Sequence, residues 1–166
     1  MADDAEVEKA LQKAYRLLTV RARSEQELRS KLRERKFDDR VVDQAISRLY
    51  ELNYLDDAVF ARQWVRRLAI EKLSGDRRIE TSLREKGLSR TVYEPILAEI
   101  RQDMPEKEAI RQLIRKKLKG ARLQKYDGRE KRRLAQNLLG RGFAPDLIYE
   151  MIREAEAYRD DDRQSD

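Results

Sequence analysis

Apolar residues recur three times along the chain at the same internal spacing. Each copy has apolar residues at offsets of 0, 4, 9, 14 and 18: Leu28, Leu32, Phe37, Val42 and Ile46; Ile79, Leu83, Leu88, Tyr93 and Leu97; and Leu134, Leu138, Phe143, Ile148 and Ile152. The steps of four correspond to one helical turn, whereas the two steps of five skip to a new turn. Each copy therefore predicts two short helices that pack against each other.

The residues between the two predicted helices agree with this division. Gly87 and Gly142 follow the first helix of the second and third copies, where a residue that can adopt a positive φ ends a helix. Lys36 stands at the equivalent place in the first copy, so this turn must either differ from the others or be strained. Ser24 and Glu27 have the spacing of a capping box, which predicts a helix start after Ser24.

A third helical pattern precedes each pair. Its apolar residues are Leu11, Ala14, Leu17 and Leu18, then Phe60, Trp64, Val65 and Leu68, then Ile110, Leu113, Ile114 and Leu118. No segment alternates apolar and polar residues for long enough to predict a strand. The sequence therefore predicts an all-α protein of three tandem three-helix repeats that form an elongated curved array.

These patterns divide the chain into five expected segments. They are an acidic N-terminal segment over residues 1–9, three-helix repeats over 10–54, 55–104 and 105–158, and an acidic flexible tail over 159–166. No apolar run approaches the ~20 residues needed to span a bilayer, and the N-terminus lacks a basic and apolar targeting signal. We therefore expect a cytoplasmic monomer that does not associate with membranes.

Positive charge is concentrated in the third repeat. The chain carries a net charge of +6, but from Lys107 to Arg141 there are 13 basic and three acidic residues. Lys107, Arg111, Arg115 and Lys119 lie one helical turn apart on one stripe, where like charges repel each other. We interpret this stripe as the contact for a polyanion or an acidic protein surface, and a solvated helix face is the alternative.

The chemistry available for catalysis is restricted, because the chain contains neither His nor Cys. This composition removes the usual general base, the thiol and imidazole nucleophile systems and the softer metal ligands. Asp38-Asp39 and Asp56-Asp57 could hold Mg²⁺, but each doublet stands where a helix should begin and is better interpreted as a cap. The six glycines are scattered and form no phosphate-binding loop. We therefore predict no enzyme activity, no cofactor and no metal.

Trp64 lies on the apolar stripe of its helix, so we expect it in the core. The other aromatic residues do not alternate regularly with arginine. The sequence therefore gives no indication of a surface on which bases stack.

Several short motifs, taken in order, resemble the RecX family of regulators of the bacterial RecA recombinase. They are Ser24-Glu25-Gln26-Glu27-Leu28 with Leu32; Tyr54-Leu55-Asp56-Asp57 with Phe60-Ala61; Arg78-Ile79, Leu83 and Lys86-Gly87-Leu88; and Arg141-Gly142-Phe143. The resemblance covers roughly residues 10 to 155. Asp76 departs from the pattern, because the family usually has Pro before the Arg-Ile pair.

The resemblance implies a three-repeat protein that lies in the groove of a RecA–DNA filament and restrains ATP hydrolysis, strand exchange and filament growth. This role belongs to DNA repair, recombination and the SOS response, with the RecA filament as partner and DNA bound only weakly alone. The matching positions look structural, so we assign the contacts from the charge pattern. The candidate residues are Arg66, Arg67, Lys72, Arg77, Arg78, Arg84, Arg115, Lys116, Lys119, Arg132 and Arg133.

Three other functions remain open at this point. A free-standing DNA-binding protein would use the same basic faces, since small three-helix units can place a helix in a groove. A Mg²⁺-dependent enzyme would use Asp38-Asp39 or Asp56-Asp57. A protein adaptor would ignore nucleic acid altogether.

Overall fold

The computed structural model describes residues 2–119 and 125–157. Over these residues the chain forms nine α-helices and no strand. The helices are α1 (Ala2–Val20), α2 (Glu25–Glu34), α3 (Asp39–Glu51), α4 (Asp57–Arg66), α5 (Asp76–Glu85), α6 (Arg90–Asp103), α7 (Glu106–Leu118), α8 (Gly128–Gly140) and α9 (Pro145–Ala157). The predicted all-α class and the tandem order of three helices per repeat are confirmed.

The repeated apolar positions form the cores of these helices. Thirteen of the fifteen are buried, and Phe37 and Ile152 are partly buried. Around α1–α3 the core includes Leu11, Leu28 and Ile46. Around α7–α9 it is built from Ala109, Ile110, Ile114, Leu134, Leu138, Phe143, Ile148 and Met151. Burial of these side chains supplies the driving force that holds each set of helices together.

One turn geometry closes the first helix of the repeated helix pair in all three repeats. Lys36, Gly87 and Gly142 have φ values of 63°, 77° and 91°. In each copy the N–H of this residue donates to the carbonyl three residues earlier, and the next N–H donates to the carbonyl five residues earlier. This pattern is the Schellman motif. Of the two predicted possibilities for Lys36, the strained turn is therefore the one that occurs.

Side-chain caps fix the starts of α2, α3 and α4. Ser24 Oγ accepts from the Glu27 N–H while the Glu27 carboxylate accepts from the Ser24 N–H, which confirms the predicted capping box. Asp38 Oδ1 accepts from the Arg40 N–H before α3, and Asp56 Oδ1 accepts from the N–H groups of the second and third residues that follow it, before α4. Each cap satisfies backbone donors that have no partner within the helix.

The second repeat contains a feature that the apolar pattern did not predict. Helix α4 continues directly into a π-helical turn over Arg67–Glu71. The chain then reverses at Leu73, which has a φ of 49°, and Ser74 is buried with its N–H donating to the Leu68 carbonyl at 2.9 Å.

The described residues cluster into two compact units. Unit 1 comprises Met1–Trp64 and Ser82–Leu97, and unit 2 comprises Val65–Thr81 and the described part of Ala98–Asp166. The acidic N-terminal segment belongs to α1, which begins at Ala2. The acidic tail over 159–166 lies outside the described residues. The boundaries expected for the three repeats remain a prediction.

Candidate partner-binding surface

All eleven candidate cations are exposed. Ten of them belong to unit 2, and Arg84 belongs to unit 1. In unit 2 they lie at the end of α4 and in or just after the π-helical turn (Arg66, Arg67, Lys72), in the first turn of α5 (Arg77, Arg78), at the end of α7 (Arg115, Lys116, Lys119) and on α8 (Arg132, Arg133). Unit 2 is therefore the main carrier of the predicted surface.

Most of these side chains have no acidic partner in the part of the chain that the structure describes. Within residues 4–119 and 125–157, no carboxylate forms an ion pair with Arg66, Lys72, Arg77, Arg78, Lys116, Lys119, Arg132 or Arg133. Arg115 is the exception, with its guanidinium 3.9 Å from the Glu108 carboxylate. Exposed cations without counter-charges raise the local positive potential and attract anions.

The cations of unit 1 are arranged differently. Many of them pair with an acid of the same unit, as in Arg21–Glu27, Arg29–Asp43, Lys31–Glu34, Arg33–Asp39 and Lys86–Glu27. Exposed ion pairs contribute little to stability, but they neutralise the surface on which they lie.

The predicted basic stripe on α7 is neutralised over its first half. Lys107 pairs with Glu150 of α9, and Arg111 pairs with Glu154 at 2.7 Å. The hydrogen bond from Arg111 lowers the pKa of Glu154. The prediction that all four members face an external anion is therefore wrong for Lys107 and Arg111, because packing of α9 against α7 brings carboxylates that the spacing within α7 could not reveal. Lys119 has no ion pair among the described residues, and Arg115 has only the 3.9 Å contact with Glu108.

Backbone hydrogen bonds join the start of α5, which carries Arg77 and Arg78, to the turn between α8 and α9. The Gly75 N–H donates to the Arg141 carbonyl at 2.8 Å, and the Arg77 N–H donates to the Gly142 carbonyl at 3.3 Å. A Cβ on Gly75 would lie 2.4 Å from backbone atoms of Gly142, so only glycine fits there. This contact fixes the backbone positions of Arg77 and Arg78.

Asp76, the departure from the family pattern, is used twice in this turn. Its N–H donates to a Glu106 carboxylate oxygen at 2.8 Å, a bond that Pro could not make. Its own carboxylate accepts from Arg101 Nε at 2.7 Å. Burial raises the pKa of Glu106, against the opposing effect of this backbone hydrogen bond. Asp76 therefore restrains this turn through hydrogen bonds, whereas Pro would restrain it through its fixed φ.

The aspartate doublets have structural roles. Asp38 and Asp56 cap helices, Asp39 pairs with Arg33, and Asp57 accepts from the Glu25 N–H at 2.9 Å. Among the described residues, no three carboxylates converge on a position that could hold a metal ion. The capping interpretation of both doublets is confirmed.

Trp64 is only partly buried, which corrects its expected place in the core. Its ring stacks on Phe60 with centroids 5.8 Å apart, and its Nε1–H donates to Ser82 Oγ. Lys86 Nζ lies 4.3 Å from the ring centroid and pairs with Glu27. The indole N–H needs a hydrogen-bond acceptor, so the ring packs at the margin of the core.

None of the described helices combines the length and the apolar character needed to cross a membrane.

Comparison with family models covers all three repeats. Residues 10–49 match the first three-helix domain of RecX, residues 56–94 the second and residues 105–152 the third. The chain belongs to the RecX family. A relative from Mycolicibacterium smegmatis, named Regulatory protein RecX, is 35% identical over 148 residues, or 87% of this chain and 78% of the relative. A RecX from Prosthecochloris aestuarii is 32% identical and covers 91% of this chain and 96% of its own length.

Solved RecX structures share the fold. The crystal structure of RecX from Lactobacillus salivarius superposes with a TM-score of 0.78 at 24% identity, covering 95% of this chain and all of that one. A second RecX crystal structure gives a TM-score of 0.74 at 23% identity and covers 92% of this chain and 74% of that one. At these identities the likeness establishes the fold alone. Membership of a family of regulatory proteins rests on the sequence matches.

Proposed function

We propose that this protein is a non-enzymatic modulator of the RecA recombinase. It binds in the groove of the RecA–DNA filament and restrains ATP hydrolysis, strand exchange and filament growth, acting in the cytoplasm as a monomer. The RecX name of the curated relatives supports this role, because that family regulates RecA. The observation that carries the surface assignment is the set of exposed cations in unit 2 that lack carboxylate partners among the described residues.

The same surface supports a second candidate function, that of a free-standing DNA-binding protein. Unpaired lysines and arginines bind phosphates without any need for a recombinase. The two candidates differ in what the protein recognises, because a filament modulator affects ATP turnover by RecA, whereas a free-standing DNA-binding protein does not.

The variant Arg132→Glu/Arg133→Glu tests the assigned surface. Both residues are exposed on α8 and have no ion pair among the described residues. Reversal of both charges should weaken binding to RecA filaments on single-stranded DNA. It should also reduce the salt dependence, since the slope of log binding constant against log salt concentration falls by roughly 0.7 for each phosphate contact removed. Binding can be followed by fluorescence anisotropy of the labelled protein at several salt concentrations.

A matched control carries the same change in net charge on unit 1. The variant Arg16→Glu/Arg35→Glu alters two exposed residues, in α1 and at the end of α2. This control should bind filaments nearly as well as the wild type. Equal losses in both variants would show that net charge alone drives binding, and unchanged inhibition of the RecA ATPase by the α8 variant would remove Arg132 and Arg133 from the site.

A further inference from the structure

Three cationic residues, Lys72, Arg78 and Arg141, lie at the contact between the start of α5 and the turn after α8. Arg141 Nη1 donates to the Lys72 carbonyl at 2.8 Å, and Arg78 Nη1 reaches the Gly140 carbonyl at 3.5 Å. The backbone bonds of Gly75 and Gly142 hold the two segments together beneath these side chains. Arg141 was not among the eleven candidates, and its place beside Lys72 follows only from the fold.

Among the residues that the structure describes, no carboxylate forms an ion pair with Lys72, Arg78 or Arg141. Within the same residues, the side chains of Arg78 and Arg141 donate to two carbonyl oxygens and to the amide oxygen of Asn137. The nearby Asp76 carboxylate is engaged by Arg101. Each arginine has five N–H donors, of which Arg141 uses two and Arg78 one. Most of the donors therefore remain for an external acceptor.

These arginines could be interpreted as helix caps and no more. Cations at a helix C-terminus are stabilised by a macrodipole that carries about half a negative charge at that end. Half a charge does not cancel the three full positive charges of Lys72, Arg78 and Arg141. The cluster is therefore positive even after the helix ends are taken into account.

The surface at Gly140 is open. A Cβ placed on Gly140 meets no atom within 4 Å, although Gly140 is the last residue of α8 and its carbonyl receives Arg78. A position without a side chain lets an extended ligand approach the backbone closely.

We infer that Lys72, Arg78, Arg141 and the open surface at Gly140 form a binding site for the phosphodiester backbone of a nucleic acid strand. The inference deepens the proposed function, on which it rests, by assigning this cluster to the DNA of the filament. Arginine presents a planar fork that matches phosphate oxygens, and the site reads charge without base sequence.

An acidic protein surface fits the site less well. Throughout residues 65–81 and 128–144, which the structure describes fully, Leu139 is the sole large apolar side chain that is exposed. Protein interfaces usually bury about 800 Å² on each side around an apolar centre, which one leucine cannot supply. No exposed aromatic residue in these segments offers a stacking platform, so the contact is with phosphates.

The test places a carboxylate at Gly140, whose carbonyl Arg78 reaches, and leaves the three cationic residues unchanged. Gly140→Glu extends into open space, and Gly140→Gln is the uncharged control of the same size. The probe is fluorescein-labelled single-stranded DNA of mixed sequence, without RecA. Gly140→Glu should weaken DNA binding on the order of tenfold at low salt, and Gly140→Gln should stay within about twofold of the wild type. Both variants should have a thermal midpoint equal to or slightly above that of the wild type, since each replaces a helical glycine.

Each outcome decides the inference. Wild-type DNA binding by Gly140→Glu, or an equal loss in Gly140→Gln, overturns it. Retained DNA binding with lost inhibition of the RecA ATPase assigns the cluster to a protein surface and also overturns it. If the wild-type chain does not affect RecA but Gly140→Glu still loses DNA binding, the proposed function fails while the phosphate site stands.

Discussion

A single left-handed residue closes the same turn in each repeat, and its side chain sets the cost of that turn. Gly87 and Gly142 adopt a positive φ without penalty, whereas Lys36 adopts a φ of 63° with a Cβ that crowds its own backbone. The spacing of the repeat made this conflict visible in the sequence. Only the structure shows that the backbone keeps the motif and accepts the strain.

Replacing Lys36 by glycine should therefore stabilise the protein. The expected gain in the free energy of unfolding is about 0.5–1 kcal/mol, because relief of the strain exceeds the greater chain entropy of glycine in the unfolded state. Asn53→Gly is the control, since Asn53 has a φ of 56° and asparagine tolerates this region. Urea denaturation compares the variants, and an equal or larger gain at Asn53 would contradict the strain at Lys36.

Glu27 illustrates how one carboxylate connects several groups of unit 1. Burial acts to raise its pKa, but hydrogen bonds from Arg21, Lys86 and the Ser24 N–H outweigh burial and lower the pKa to about 2. The ordinary value is 4.5, so the stability that this group contributes is present above about pH 4.5 and is lost as the pH falls through about 2.

The variant Glu27→Gln should lose about 1–3 kcal/mol of unfolding free energy near neutral pH. The difference from the wild type should shrink as the pH falls from about 4.5 towards 2, because the wild-type carboxylate then becomes protonated. Unfolding measured across this pH range checks both statements. Glu34→Gln, which removes the exposed pair with Lys31, should change little at any pH. A loss of unfolding free energy in Glu27→Gln that does not change with pH would contradict the electrostatic explanation.

At the scale of the elements, helix existence and caps could be predicted from the sequence, whereas contacts between elements could not. The apolar offsets located the helices, and Ser24, Asp38 and Asp56 marked their starts. The pairing of Lys107 with Glu150 joins residues on different helices, and no local pattern reports which faces will meet. The π-helical turn over Arg67–Glu71 likewise has no period that would distinguish it from α-helix.

The contact between Gly75 and Gly142 makes a sharp prediction at this scale. Gly75→Ala should lower the free energy of unfolding by about 2 kcal/mol or more, because its Cβ would overlap backbone atoms that cannot rotate away. Gly140→Ala, where the space is open, should be neutral or slightly stabilising. Thermal unfolding of both variants tests the contact, and a neutral Gly75→Ala would show that the segments do not touch.

At the scale of the whole molecule, acid and base are distributed unequally between the two units. The cations of unit 1 largely meet carboxylates of their own unit, and unit 2 carries ten of the eleven candidate residues. The run of positive charge from Lys107 to Arg141 could be recognised in the sequence. Which of its cations pair with carboxylates, as Lys107 and Arg111 do, depended on the fold. An excess of exposed positive charge of this kind favours recognition of an assembled polyanion.

The most direct measurement of the central claim is the rate of ATP turnover by RecA assembled on single-stranded DNA as the purified protein is added. We predict that turnover falls in a dose-dependent way and that higher salt weakens the effect. Turnover that stays constant while the protein is shown to bind the bare DNA would contradict the account and would favour a free-standing DNA-binding protein.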